Sequence, residues 1–79
     1  MNKNNYVIAP GETILELLET RNISKMELSK QMQENIETIN QLCNGQAPIT
    51  PSIAIKLEKI FNISASFWNN LEKNYQQEK

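Results

Sequence analysis

Residues 24–45 read SKMELSKQMQENIETINQLCNG, and they contain the start and stop signals of two short helices. The stretch opens with an S-x-x-E capping box, in which the side chains of Ser24 and Glu27 can each accept a backbone N–H from the other residue. The apolar spacing then breaks, and Asn35 is a suitable N-cap for a second helix that Gly45 can end in the left-handed conformation. The stretch therefore predicts two short helices joined by a turn of about three or four residues, which is helix-turn-helix spacing.

Proline and glycine divide the rest of the chain into helical segments. They occur only at positions 10, 11, 45, 48 and 51, and between them the apolar residues recur at three- and four-residue steps. The sequence thus predicts an all-α fold of five helices in one domain at residues 10–76, with tails at 1–9 and 77–79. We expect helices at about 11–20, from the Ser24 cap to about Gln31, from the Asn35 cap to Asn44, from Pro51 after the Thr50 cap, and after a Ser64 cap.

A buried stripe is expected on each helix, because apolar residues three or four apart share one helix face. For the first four helices this stripe comprises Ile14, Leu15, Leu17, Leu18, Leu28, Met32, Ile39, Leu42, Cys43, Ile53, Leu57, Ile60 and Phe61.

The fifth helix carries more aromatic surface than a small core needs, because Phe67 and Trp68 are neighbours. This helix is therefore expected to supply a dimer interface. In an alternative arrangement, Phe67 and Leu71 close the core, and only Trp68 and Tyr75 meet a partner. The expected interface residues are Phe67, Trp68, Leu71 and Tyr75.

Composition excludes most kinds of catalytic and metal site. The 79 residues include no His and no Asp, and only one Cys, with a formal net charge of −1. Without His, neither Cys/His metal sites nor the common nucleophile–base pairs can be built. We therefore expect no metal, no cofactor and no enzymatic activity. Cys43 is interpreted as a core residue rather than a nucleophile, and Glu12, Glu16 and Glu19 as a solvated helix face rather than a cation site.

The same composition indicates a cytoplasmic protein with no membrane partner. No apolar run approaches the ~20 residues of a membrane span, and the Asn-rich start lacks the hydrophobic middle of a signal peptide. A single cysteine cannot form an internal disulfide, which favours a reducing compartment.

The outward face of the third helix is the candidate nucleic-acid site. In a helix-turn-helix, the first turns of the second helix enter the major groove of DNA. Gln41 can make two hydrogen bonds to adenine, and Glu37 can accept one from the cytosine amino group. Thr38 or Ile36 can touch a thymine methyl group. The base-facing candidates are Ile36, Glu37, Thr38, Asn40 and Gln41; in the alternative interpretation they form only the polar outer face of a helical bundle.

Phosphate contacts are expected on both sides of that helix. Lys25 and Lys30 lie on the second helix, and backbone N–H groups are free at its Ser24 start. The loop after the third helix adds neutral donors at Asn44, Gln46 and Thr50.

Charge limits the expected affinity for DNA. No Lys or Arg occurs from Gln31 through Ile55, although this stretch should meet the groove. Each neutralised phosphate contributes about −0.9 to the salt slope. Only Arg21, Lys25 and Lys30 lie near the expected interface, so about three phosphate contacts per protomer give a shallow slope. We expect weak, mildly salt-dependent binding that depends on dimerisation and on the many Asn and Gln side chains.

From Pro10 to Tyr75 the chain resembles the lambda-repressor-like (XRE-type) helix-turn-helix domain, and most closely the HigA-type antitoxins of bacterial toxin–antitoxin operons. The resemblance covers about four fifths of the chain, and the loop with its following aromatic helix is quite specific to that branch. The residues that carry it are Pro10-Gly11-Glu12-Thr13-Ile14, Ile39-Asn40-Gln41-Leu42-Cys43-Asn44-Gly45, Pro48-Ile49-Thr50-Pro51, and Phe67-Trp68-Asn69-Asn70-Leu71-Glu72 with Tyr75.

The resemblance implies a five-helix domain that binds a palindromic operator as a homodimer and represses its own operon. In the antitoxin case it also implies a cognate toxin partner that is a ribosome-dependent mRNA interferase. The matching positions give base- and groove-facing roles to Asn35, Ile36, Glu37, Thr38, Asn40 and Gln41, and backbone-contact roles to Lys25, Asn44 and Gln46. An alternative function is a protein-interaction module that neutralises a toxin or recruits a partner, with little DNA binding.

Three positions depart from the family pattern. Gln33 stands where such proteins often have glycine in the turn, and Glu34 stands where they often have an apolar residue. Gln46 and Ala47 replace a common basic pair in the following loop. These departures leave the expected fold unchanged and lower the expected affinity for DNA.

Overall fold

The computed structural model describes residues 9–78, and these form five helices without a strand. The all-α prediction is therefore confirmed. Most of the predicted tail at 1–9, and Lys79 of the predicted tail at 77–79, lie outside the described residues. The helices are α1 (Pro10–Thr20), α2 (Lys25–Met32), α3 (Ile36–Cys43), α4 (Pro51–Phe61) and α5 (Ala65–Glu78).

Four of the helices begin at the caps that the sequence predicts. At each start, a side-chain oxygen accepts the backbone N–H three residues further on, and such a cap typically stabilises a helix by about 1 kcal/mol. The second helix also has the reciprocal bond of the capping box, from the Ser24 N–H to the Glu27 carboxylate at 2.9 Å. The caps are Ser24 with Glu27 at 3.0 Å, Asn35 with Thr38 at 2.8 Å, Thr50 with Ile53 at 3.2 Å, and Ser64 with Phe67 at 3.2 Å.

The turns after the helices use left-handed residues. Gly45 has φ +76° directly after the α3 C-cap Asn44, as predicted. Asn22, Gln33 and Asn62 also have φ near +60°, at the ends of α1, α2 and α4. Asn tolerates this conformation better than most residues, because its short polar side chain can hydrogen-bond locally. The longer side chain of Gln33 does not have this advantage.

The buried core follows the predicted stripes with three exceptions. Ile14 and Leu18 are one turn apart and both are buried, so Leu15 is rotated toward solvent and is 39% exposed. Leu17 and Ile60 pack against the core but are only partly buried. The core is formed by Ile14, Leu18, Leu28, Met32, Ile39, Leu42, Cys43, Ile49, Ile53, Ala54, Leu57, Phe61 and Trp68.

Trp68 lies inside the protomer, which corrects its expected place in a dimer interface. Its side chain is 0% exposed, and its ring centroid lies 6.2 Å from that of Phe61 on α4. Phe67 instead meets the Trp68 ring edge-on at 5.3 Å and remains 42% exposed. The alternative arrangement placed Phe67 in the core and Trp68 against a partner. The structure shows the reverse, because α5 packs on α4 through Trp68.

Two close contacts fix α3 within the domain. A Cβ built on Gly11 would lie 2.3 Å from the Leu42 carbonyl oxygen and 2.6 Å from that of Cys43. Only glycine therefore allows the start of α1 to approach the end of α3 so closely. On the other side, the Glu72 carboxylate of α5 accepts the Ile49 N–H at 2.9 Å, in the loop that follows α3.

None of the helices within residues 9–78 combines the length and the apolar character needed to cross a membrane.

Candidate nucleic-acid interface

The turn between α2 and α3 is held by three bonds that converge on Glu34. The Ser29 hydroxyl donates to the Glu34 carbonyl oxygen, and the Glu34 N–H donates to the Ser29 carbonyl oxygen at 3.1 Å. The Lys56 ammonium group on α4 lies 2.5 Å from the Glu34 carboxylate. These contacts determine where α3 leaves the turn, and the sequence patterns did not reveal them.

Opposite faces of α3 have opposite character. Ile39, Leu42 and Cys43 are buried against the rest of the domain. The base-facing candidates all remain accessible, and they lie on the N-cap and the first two turns of the helix. Asn35, Glu37 and Gln41 are exposed, and Ile36, Thr38 and Asn40 are partly exposed.

The phosphate-facing candidates flank α3 on both sides. Ser24 and Lys30 are exposed on α2 and Lys25 is partly buried, while Asn44, Gln46 and Thr50 are exposed around the loop after α3. The hydroxyl oxygens of Ser24 and Thr50 accept helix N–H groups, so each hydroxyl can still donate outward. The backbone of Gln46 is fixed to α3, because its N–H donates to the Gln41 carbonyl oxygen at 2.8 Å.

Arg21, one of the three cations expected near the interface, is instead engaged with α4. Its guanidinium group donates to the Phe61 carbonyl oxygen at 2.9 Å and lies 5.6 Å from the centroid of the Phe61 ring. Arg21 thus caps the C-terminal end of α4, where the helix dipole favours a positive charge. Lys25 and Lys30 remain as the candidate phosphate-binding cations.

Cys43 is a buried core residue, as predicted. Burial raises the pKa of its thiol above the ordinary value of 9.0, and the nearby charge of Lys25 offsets part of this effect. A thiol that stays protonated is a poor nucleophile. Within residues 9–78, no group of three or more His, Cys, Asp or Glu side chains is arranged to hold a metal ion.

The candidate dimer residues lie on α5 with unequal exposure. Phe67 is exposed and Leu71 and Tyr75 are partly buried, while Trp68 is enclosed. Glu72, for which the sequence patterns predict no functional role, connects this helix to the loop after α3.

Comparison with known proteins gives consistent matches across this region. Residues 14–68 match the helix-turn-helix family. The uncharacterized HTH-type transcriptional regulator YddM of Escherichia coli is 36% identical over 63 residues, which cover 80% of this chain and 67% of YddM.

Two of the solved structures that the chain resembles include DNA. The Pseudomonas aeruginosa antitoxin HigA with the higBA promoter has a TM-score of 0.87 and 33% identity, over 91% of this chain and 79% of that one. PA4674 of Pseudomonas aeruginosa in complex with its operator DNA has a TM-score of 0.86 and 32% identity, over 91% and 80%.

Proposed function

Since the chain belongs to the helix-turn-helix family and resembles HigA-type antitoxins, we propose that it is a sequence-specific DNA-binding transcriptional regulator that represses its own operon. The observation that carries this function is the accessible outer face of α3, presented behind a turn that is anchored to both α2 and α4. Recognition helices of this class read bases from the same position.

In this proposal, α3 reads the major groove through Asn35, Ile36, Glu37, Thr38, Asn40 and Gln41. Gln41 can pair with adenine through two hydrogen bonds, and Glu37 can accept one from the cytosine amino group. The DNA backbone is held by Ser24, Lys25, Lys30, Asn44, Gln46 and Thr50.

The active species in this proposal is a homodimer on a palindromic operator. Symmetric dimers match operators whose half-sites are related by two-fold symmetry. Phe67 supports an interface on α5, because its large apolar side chain is 42% exposed. Covering this surface with a partner would contribute favourably to the free energy of dimerisation. Leu71 and Tyr75 complete this candidate interface, and Trp68 contributes by fixing α5 to the core.

Binding is expected to be only mildly dependent on salt. With Arg21 bound to α4, two lysines per protomer remain, and at about −0.9 per neutralised phosphate a dimer gives a slope of roughly −4. The neutral Asn, Gln, Ser and Thr donors then supply hydrogen bonds without releasing counterions.

A protein partner, such as a cognate toxin, is a second candidate interaction. The outer face of α1 favours it, because exposed Leu15 lies beside the carboxylates of Glu16 and Glu19 in one shallow groove. Negative charge there would repel DNA and attract a basic protein surface. An interaction with a basic toxin at α1 would leave α3 accessible.

This regulator is proposed to act in the cytoplasm, where a bacterial chromosome lies, and to act without catalysis. Its repression would follow from occupancy of the operator alone.

Selection of duplex DNA from a random pool tests the proposed function. We expect the protein to enrich a palindromic sequence and to protect both half-sites in a footprint. Failure to enrich any sequence at low salt would contradict the proposal, and enrichment of a single non-palindromic site would contradict the dimer.

A further inference from the structure

An acidic and a basic side chain meet at the turn of the helix-turn-helix. Glu34 lies directly before Asn35, the N-cap of α3, and Lys56 lies on α4, 22 residues further along the chain. The Lys56 ammonium nitrogen and a Glu34 carboxylate oxygen are 2.5 Å apart, and the side chains are only 31% exposed for Lys56 and 26% exposed for Glu34. The pair is therefore partly shielded from solvent, where charges interact more strongly than at a fully exposed site.

The position of Glu34 is unfavourable for a protein that binds DNA. Between Gln31 and Ile55 the chain has two carboxylates, at Glu34 and Glu37, and no Lys or Arg. The N-terminus of a helix carries a partial positive charge that attracts phosphate. A free carboxylate one residue before the N-cap of α3 would weaken that attraction and would repel the DNA backbone.

We propose that Lys56 is a positioning residue for DNA binding, which neutralises the Glu34 carboxylate and does not itself bind phosphate. The inference rests on the proposed function. Lys56 is already engaged at 2.5 Å, and the two bonds between Ser29 and Glu34 hold the backbone of the same turn. The ion pair thus ties α4 to the start of α3 and removes one negative charge from the approach of DNA.

Removal of each charge, singly and together, tests this role. The probe is the duplex that the wild-type protein enriches from a random pool, and urea unfolding gives the folded fraction of each variant. We expect Lys56→Gln to weaken binding roughly fivefold, because it leaves one unpaired charge beside the phosphates. The double variant Glu34→Gln with Lys56→Gln is expected to recover to within about twofold of wild type, with the wild-type salt slope, because it removes no phosphate contact.

A matched control is Lys59→Gln, which removes an exposed lysine from the same helix without breaking the pair. It reports the general effect of one lost positive charge, and Lys56→Gln must weaken binding more than this control does.

Two results would overturn the inference. The first is a double variant as weak as Lys56→Gln, with a salt slope shallower by about 0.9 per protomer, since Lys56 would then be a phosphate ligand. The second is a Lys56→Gln variant that binds no more weakly than the Lys59→Gln control. If the wild-type protein enriches no duplex at all, the failure belongs to the proposed function instead.

Discussion

The Glu72 carboxylate accepts the backbone N–H of Ile49 at 2.9 Å, which joins the candidate dimer helix to the loop that follows the candidate recognition helix. The loop carries Gln46 and leads to Thr50, both candidate phosphate contacts. In the proposed dimer, this hydrogen bond would therefore connect α5 with the position of the loop on DNA.

Loss of this bond should destabilise the domain. The bond joins a charged acceptor to a buried residue, and Glu72→Ala leaves the Ile49 N–H unpaired. We expect a loss of about 1–2 kcal/mol in the free energy of unfolding. Urea unfolding measures it, with Lys73→Ala as a control on the same helix. Equal stabilities for the two variants would show that the bond contributes nothing.

Gly11→Ala should be strongly destabilising. The added Cβ would meet the backbone oxygens of Leu42 and Cys43, which cannot turn aside as a flexible side chain can. We expect a loss of about 2–3 kcal/mol or more, typical of overpacking in a rigid contact. Thermal unfolding beside the exposed control Glu16→Ala measures the difference. A variant as stable as the control would show that α1 moves away from α3 at little cost.

Gln33→Gly should stabilise the turn. Gln33 has φ +58°, where a side chain costs roughly 1–2 kcal/mol, and glycine removes this cost while adding some freedom to the unfolded chain. We expect a net gain of about 0.5–1 kcal/mol. Gln31→Gly, in the helical part of α2, should instead lose about 1 kcal/mol. If both glycines destabilise equally in urea unfolding, the left-handed strain at position 33 is absent.

Cys43 should cause the free energy of unfolding to decrease at alkaline pH. Burial raises the pKa of its thiol above the ordinary 9.0, so the unfolded thiol loses its proton at a lower pH than the folded one. Between these values the unfolded state binds fewer protons, and stability falls as pH rises.

The stability difference between wild type and Cys43→Ala isolates this contribution from the other titrating groups. We expect it to stay constant between about pH 6 and about pH 8, and to decrease as the pH rises above about 9. A difference that stays constant up to about pH 10 would mean that the thiol has the same pKa in both states.

Sequence predicted the features that depend on near neighbours. The caps at Ser24, Asn35, Thr50 and Ser64 were predictable because each bond joins residues three apart, and Gly45 because only few residues accept its φ. The core stripes followed from helical periodicity in the same way.

The contacts that place the site were not predictable from such patterns. The pairs Glu34–Lys56 and Ile49–Glu72 are separated by 22 and 23 residues, and they depend on how whole helices pack. The assignment of Trp68 failed for a related reason. Neighbouring residues on α5 differ by about 100° around the helix axis, and only the packing of α5 on α4 decides which of Phe67 and Trp68 is buried.

Substitution of Gln41 tests whether α3 reads the DNA sequence. The measurement is the affinity of wild type and Gln41→Ala for the enriched duplex and for a scrambled duplex of equal length and composition, at one salt concentration. We predict that the variant binds the enriched duplex at least about tenfold more weakly, from the loss of one bidentate base contact in each half-site, and binds the scrambled duplex as wild type does. A variant that loses no affinity for the enriched duplex, or loses it equally for both duplexes, would contradict a role of α3 in reading bases.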